Sequence, residues 1–73
     1  MNTIHVKKES LSPRELEVLK LLASGCKNRE IALSLRIEES TVRFHITRIL
    51  NKLRVKNRAE AVYYACRNGW FKD

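Results

Sequence analysis

The chain is predicted to fold as an all-α domain of four helices, on three observations. Apolar residues recur at three- and four-residue spacing in four separate stretches, the period of one face of an α-helix. Helix-start residues stand ahead of three of these stretches, at Ser12, Asn28 and Asn57. The whole sequence has only two Gly and one Pro, too little turn material for an all-β fold.

Seventy-three residues make one small domain, which buries only about 60% of the surface its unfolded chain exposes. Fifteen Lys and Arg against eight Asp and Glu give a formal charge of +7, and the natural partner of such a surface is a polyanion. No stretch approaches the roughly 20 apolar residues that span a bilayer, and the polar Met1–Ser10 segment lacks a signal peptide's apolar run. The expected location is cytoplasmic. Met1 and the polar arm, with no linker-like run, favour a complete small protein. Cys26 and Cys66 form no CxxC pair and His5 and His45 no HxxxH spacing, so neither a metal nor any other cofactor is expected. Both cysteines read as small, partly buried apolar residues rather than a disulfide.

Taken in order, residues 1–10 are expected as a flexible N-terminal arm and residues 11–73 as the folded domain. In Ser12-Pro13-Arg14-Glu15, Ser12 can cap, Pro13 suits the first helical position and Glu15 can reach back to complete a capping box. Leu16, Leu19, Leu22 and Ala23 follow at helical spacing, with Val18 beside them, and Gly25 supplies a left-handed stop. Asn28 is the expected cap of a short second helix burying Ile31, Ala32 and Leu35. The small Ala32 allows close approach to the next helix across a turn at Arg36, Ile37 and Glu38, with Ile37 in the core, which makes a helix-turn-helix. Asn57 then caps a fourth helix, with Glu60 three residues on and Gly69 as its stop. The apolar groups of this fourth helix, among them Val62, Tyr63 and Cys66, cannot all face one small core. The surplus is either a dimer interface or half-covered core boundary.

The third helix, Glu38–Leu53, carries the candidate chemistry. Val42, Ile46, Ile49, Leu50 and Leu53 fall in one stripe about 100° wide, the buried face. Opposite them, Ser40, Arg43, Phe44, Thr47 and Asn51 present a cation, an aromatic ring, two hydroxyls and an amide, groups able to read base edges. Thr41, Arg48 and Lys52 flank that stripe with groups suited to phosphate. The competing reading of the same residues is a basic, solvated helix face.

With these pieces in place, LSPRELEVLKLLASGCKNREIALSLRI, TVRFHITRILNKL and VKNRAEAVYYA together closely resemble the LuxR/GerE-type helix-turn-helix domain, over about Leu11 to Gly69. The resemblance implies a four-helix DNA-binding module of bacterial transcriptional regulators whose third helix enters the major groove. It implies base contacts from Arg43, Phe44 and Thr47, with Ser40 on the same stripe. It implies phosphate contacts from Lys27, Asn28, Thr41, Arg48 and Lys52, and homodimerisation through the fourth helix, at Val62, Tyr63 and Cys66. Two departures stand out: Glu38 where the family usually has a Ser or Thr cap, and Arg54 where it usually has Gly. Two other readings remain: a sigma-factor region 4-like promoter module that contacts RNA polymerase, and a protein interaction module acting through the fourth helix. An enzyme is not expected, since no nucleophile has a His partner at a recognisable spacing and no glycine loop could cradle phosphate.

Overall fold

The computed structural model describes residues 6–72. They contain a short 3-10 turn, Lys8–Ser10, and four helices: α1 (Pro13–Ala23), α2 (Asn28–Leu35), α3 (Glu39–Leu53) and α4 (Arg58–Arg67). Among the described residues there is no strand. α1 and α3 each pack against all three other helices.

Each helix begins for a local reason. In α1 the capping box is complete: Glu15 N–H donates to Ser12 Oγ at 3.1 Å and Ser12 N–H to Glu15 Oε1 at 2.9 Å, with Pro13 in the first turn. α4 opens with Glu60 N–H donating to Asn57 Oδ1 at 2.9 Å, while the Glu60 carboxylate accepts the N–H of Lys56 at 2.8 Å. α2 departs from expectation. Lys27 occupies the cap position and Asn28 is the first helical residue. A lysine side chain has no acceptor, and the start is secured instead by the Glu30 carboxylate, which accepts the N–H of Lys27 at 2.7 Å. Glu38 caps α3 by backbone alone, with no side-chain bond.

The helix ends share one device. Gly25, Arg36, Arg54 and Gly69 all have positive φ, of 90°, 58°, 57° and 67°. The residue after each donates its N–H five positions back: Cys26 to Leu21, Ile37 to Ala32, Val55 to Leu50 and Trp70 to Ala65, at 3.0 to 3.1 Å. These are Schellman closures. Cys26, Ile37 and Val55 lean on the core and Trp70 is part of it.

The core joins Val18, Leu19 and Leu22 of α1, Ile31 and Ala32 of α2, Val42, Ile46, Ile49 and Leu53 of α3 and Ala61 and Ala65 of α4, sealed by Leu11 and Trp70. The two alanines let α4 lie close to its neighbours.

Two further expectations are corrected. The part of the arm within the described residues is docked: Val6 N–H donates to the Tyr64 hydroxyl at 2.8 Å, that hydroxyl donates to Val6 C=O at 3.2 Å, and Lys8 Nζ donates to Trp70 C=O at 2.8 Å. Tyr64 and Trp70 meet edge to face, 5.5 Å between ring centres. Residues 1–5 lie outside the described residues. Cys66, expected to be partly buried, is exposed, while Cys26 is half-buried, and both are free thiols. α4 turns Ala61 and Ala65 inward, which leaves position 66 facing out.

Candidate nucleic-acid interface

The apolar stripe of α3 fixes how the helix is rotated, and the opposite side is bare. Ser40, Arg43, Phe44, Thr47 and Asn51 are all exposed, Phe44 at 58%. Leu33 and Tyr63 are also open, at 71% and 64%, so the exposure of Phe44 counts only together with the polar groups beside it. The structure therefore brings the four candidate base-reading residues, Ser40, Arg43, Phe44 and Thr47, onto one free face. Arg43 has an ion pair with Glu39, one turn earlier, at 4.0 Å between two solvent-exposed side chains. Such a pair contributes little and leaves the guanidinium free to turn to another acceptor.

The candidate phosphate-binding residues are more dispersed. Thr41 is half-buried beside the start of α3 and Lys27 is exposed at the start of α2. Asn28 is half-buried, and its Oδ1 accepts from Arg58 Nη1 at 2.7 Å. Arg48 and Lys52 are not free cations. Lys52 Nζ lies 2.8 Å from Glu15 Oε1, and Arg48 Nε 3.3 Å from Glu15 Oε2. Arg48 also sits over the Phe44 ring, 5.7 Å from its centre.

Glu15 thus does two jobs, which the sequence reading, seeing only a capping residue, had missed. It is 2% exposed. Burial pushes its carboxyl up, but the bonds from Lys52, Ser12 N–H and Arg48 outweigh that and hold it below its ordinary value of 4.5. The carboxylate is ionised at neutral pH and binds α1 to α3 by its charge. A signal was present: a Glu four residues before the buried Leu19, on the inward side of α1, needs a partner cation.

On α4, Val62 is half-buried and Tyr63 and Cys66 are exposed. Tyr63, 64% exposed, and Cys66 face outward, whereas Val62 leans on the core at their edge. The Tyr63 hydroxyl accepts from Arg67 Nη1 at 3.3 Å. Among the described residues no group of His, Cys, Asp and Glu is placed to hold a metal. Among the same residues no helix is long and apolar enough to cross a membrane.

Comparison with known proteins agrees with this geometry. A profile described as "Bacterial regulatory proteins, luxR family" matches residues 9–65. The transcriptional regulatory protein DesR of Bacillus subtilis is 46% identical over 99% of this chain, which spans 36% of that protein. LiaR of the same organism is 53% identical over 82% of this chain, which spans 28% of it. The chain thus covers about a third of the length of these relatives. Among solved structures, the transcription factor GerE superposes with a TM-score of 0.75 at 37% identity, covering 81% of this chain and 88% of GerE. The response regulator ChrA of a heme-sensing two-component system also gives 0.75, at 35% identity, over 93% of this chain and 31% of ChrA. With that profile spanning most of its length, the chain belongs to the luxR family of bacterial regulatory proteins and is a DNA-binding domain of the transcriptional-regulator type.

Proposed function

We propose that this domain binds duplex DNA as a homodimer, with α3 in the major groove and α4 at the dimer interface, on a roughly twofold-symmetric site. The observation that carries the reading is the bare side of α3, where Ser40, Arg43, Phe44 and Thr47 stand together in solvent. Arg43 reads a guanine through its O6 and N7, a pairing worth about 1–3 kcal/mol of discrimination. Phe44 packs on a thymine methyl, with the Arg48 guanidinium on its ring. Lys27, Thr41 and Asn28, through its free amide nitrogen, meet phosphates. Arg48 and Lys52 do so with the donors that Glu15 leaves unused.

Homodimerisation is supported by Tyr63 and Cys66, exposed on α4 beside a half-buried Val62, on a helix whose other side is used by the core. In a symmetric dimer the two α3 helices would stand one turn of DNA apart, about 34 Å. The test is selection of duplexes from a random library, alongside sedimentation of the protein. Recovery of an inverted repeat with a dimer in solution or on DNA supports the reading. Sequence-independent binding that vanishes with salt refutes the base-reading role of α3.

A further inference from the structure

The tripeptide Lys-Asn-Arg occurs twice, at residues 27–29 and 56–58, each time at a helix start, with Glu30 directly after the first copy and Glu60 two residues after the second. The two copies are folded in different registers. In the second, Asn57 is the cap and its Oδ1 is consumed by Glu60 N–H at 2.9 Å. In the first, Lys27 takes the cap position, so Asn28 moves inside the helix and its Oδ1 is free. That oxygen accepts from Arg58 Nη1 at 2.7 Å, which brings the starts of α2 and α4 together though 30 positions separate the residues.

The result is a concentration of cations. Lys27, Arg29, Lys56 and Arg58 are all exposed, and among the described residues none of them is in an ion pair. The two nearby carboxylates, Glu30 and Glu60, are turned onto the backbone N–H groups of Lys27 and Lys56 at 2.7 and 2.8 Å. Arg58 spends one of its five N–H donors on Asn28 and keeps the others directed outward from a fixed guanidinium. A guanidinium held by one edge, exposed, and unpaired with any carboxylate suits an anionic oxygen pair, the geometry of a phosphodiester.

We infer that Arg58 binds a DNA backbone phosphate beside Lys27, and that Asn28 is the positioning residue that holds its guanidinium in place. This extends the backbone-contacting surface from the start of α2 to the start of α4 and rests on the DNA-binding reading above. It adds no base contact, so it predicts affinity and salt dependence without sequence preference.

The experiment is fluorescence anisotropy of the 73-residue chain with a labelled mixed-sequence duplex, across a series of salt concentrations. Arg58→Gln keeps a donor for Asn28 and removes the charge. It is expected to lower the slope of log K against log salt by about 0.9 and to weaken binding about eightfold near 0.1 M salt. Arg58→Lys should retain the slope. Asn28→Ala should weaken binding severalfold in the unsubstituted chain and clearly less in the Arg58→Gln background, where only its own amide contact is left to lose and there is no guanidinium to orient. Melting curves of each variant check that the fold is kept, as expected for an exposed Arg58 and a half-buried Asn28 in the first turn of its helix. If the unsubstituted chain binds steeply and Arg58→Gln leaves the slope unchanged, the inference fails while the DNA-binding reading stands. Equal effects of Asn28→Ala in both backgrounds overturn the positioning role. Absence of salt-dependent duplex binding by the unsubstituted chain overturns both.

Discussion

Replacing Glu15 by Gln keeps the shape of the side chain and removes the charge that fastens α1 to α3. The native carboxylate accepts from Ser12 N–H at 2.9 Å, Lys52 Nζ at 2.8 Å and Arg48 Nε at 3.3 Å. Gln can still accept from Ser12 through its carbonyl oxygen, but it turns an amide donor toward one of the two cations. Bonds to charged partners contribute about 1.5–3 kcal/mol each when buried. Here the Lys52 and Arg48 side chains are 32% and 51% exposed and regain water on release, so the Arg48 bond counts for little. A loss of about 2 kcal/mol follows, and for a domain of this size that lowers Tm by about 8–16 °C.

The pH dependence gives a second, independent check. Because the folded carboxyl lies below 4.5, its contribution is fully present above the unfolded value and is lost as pH falls through the folded one. The Tm gap between native chain and Glu15→Gln should therefore be full near neutral pH and shrink on acidification, once Glu15 itself takes up a proton. Thermal unfolding followed by circular dichroism over that pH range measures it. A gap below about 2 °C at neutral pH would refute the energetic role, since ~2 kcal/mol cannot be lost invisibly at this size. A gap that persists undiminished in acid would show that shape, not charge, carries the effect.

Arg43→Ala should abolish preference at one base pair per half-site while leaving the salt slope nearly unchanged; selection from a random library checks it, and unchanged base preference would contradict the base-reading role. Lys52→Ala should do two things at once, lowering Tm by releasing one partner of Glu15 and reducing the salt slope of duplex binding by about one; a Tm loss with no change in slope would confine Lys52 to structure. Arg54→Gly should raise stability by about 0.5–1 kcal/mol, because φ of 57° is strained for arginine and relaxed for glycine; denaturant unfolding reads the sign. Tyr64→Phe removes the hydroxyl that pins Val6 and should cost about 1 kcal/mol, with faster amide exchange at residues 6–10; unchanged exchange would mean that the clasp is held by Lys8 alone.

The helices and the two sides of α3 were legible in the sequence because a period of 3.6 residues sorts buried from exposed positions without knowledge of the neighbours. Val42, Ile46, Ile49 and Leu53 are buried where that period puts them, and Ser12, Pro13 and Glu15 start α1 as their chemistry requires. What escaped is decided between helices or by a shift of one position. Asn28 looked like a cap because Asn caps well, yet Glu30 secures the start from one residue earlier, and Asn28 is left to meet Arg58. Left-handed Arg36 was hidden for a different reason: the turn was expected, but nothing local shows that Ile37 must reach back to Ala32 and force its predecessor to positive φ. The docking of residues 6–10 depends on Tyr64 and Trp70, 58 and 62 positions from their partners Val6 and Lys8, and no local pattern encodes a contact of that range.

The proposed base-reading side of α3 is held in place from beneath by Glu15, the one buried carboxylate among the described residues. The apolar stripe sets the rotation of α3, because Val42, Ile46, Ile49 and Leu53 interlock with a close-packed core. Glu15 adds a charged clamp on one flank. It grips Arg48 and Lys52, one turn apart on one flank of α3, and Arg48 in turn lies against Phe44, one turn nearer the start of the helix. A capping residue of α1 is thereby coupled through one guanidinium to an exposed ring on the proposed DNA-facing side. The ordering this implies is physical: the apolar stripe decides which four side chains share the free side, Ser12 fixes the Glu15 rotamer, and Glu15 tightens α3 in that rotation through Arg48 and Lys52. A weaker grip would leave those residues in sequence but blur their common direction, and base recognition depends on the direction.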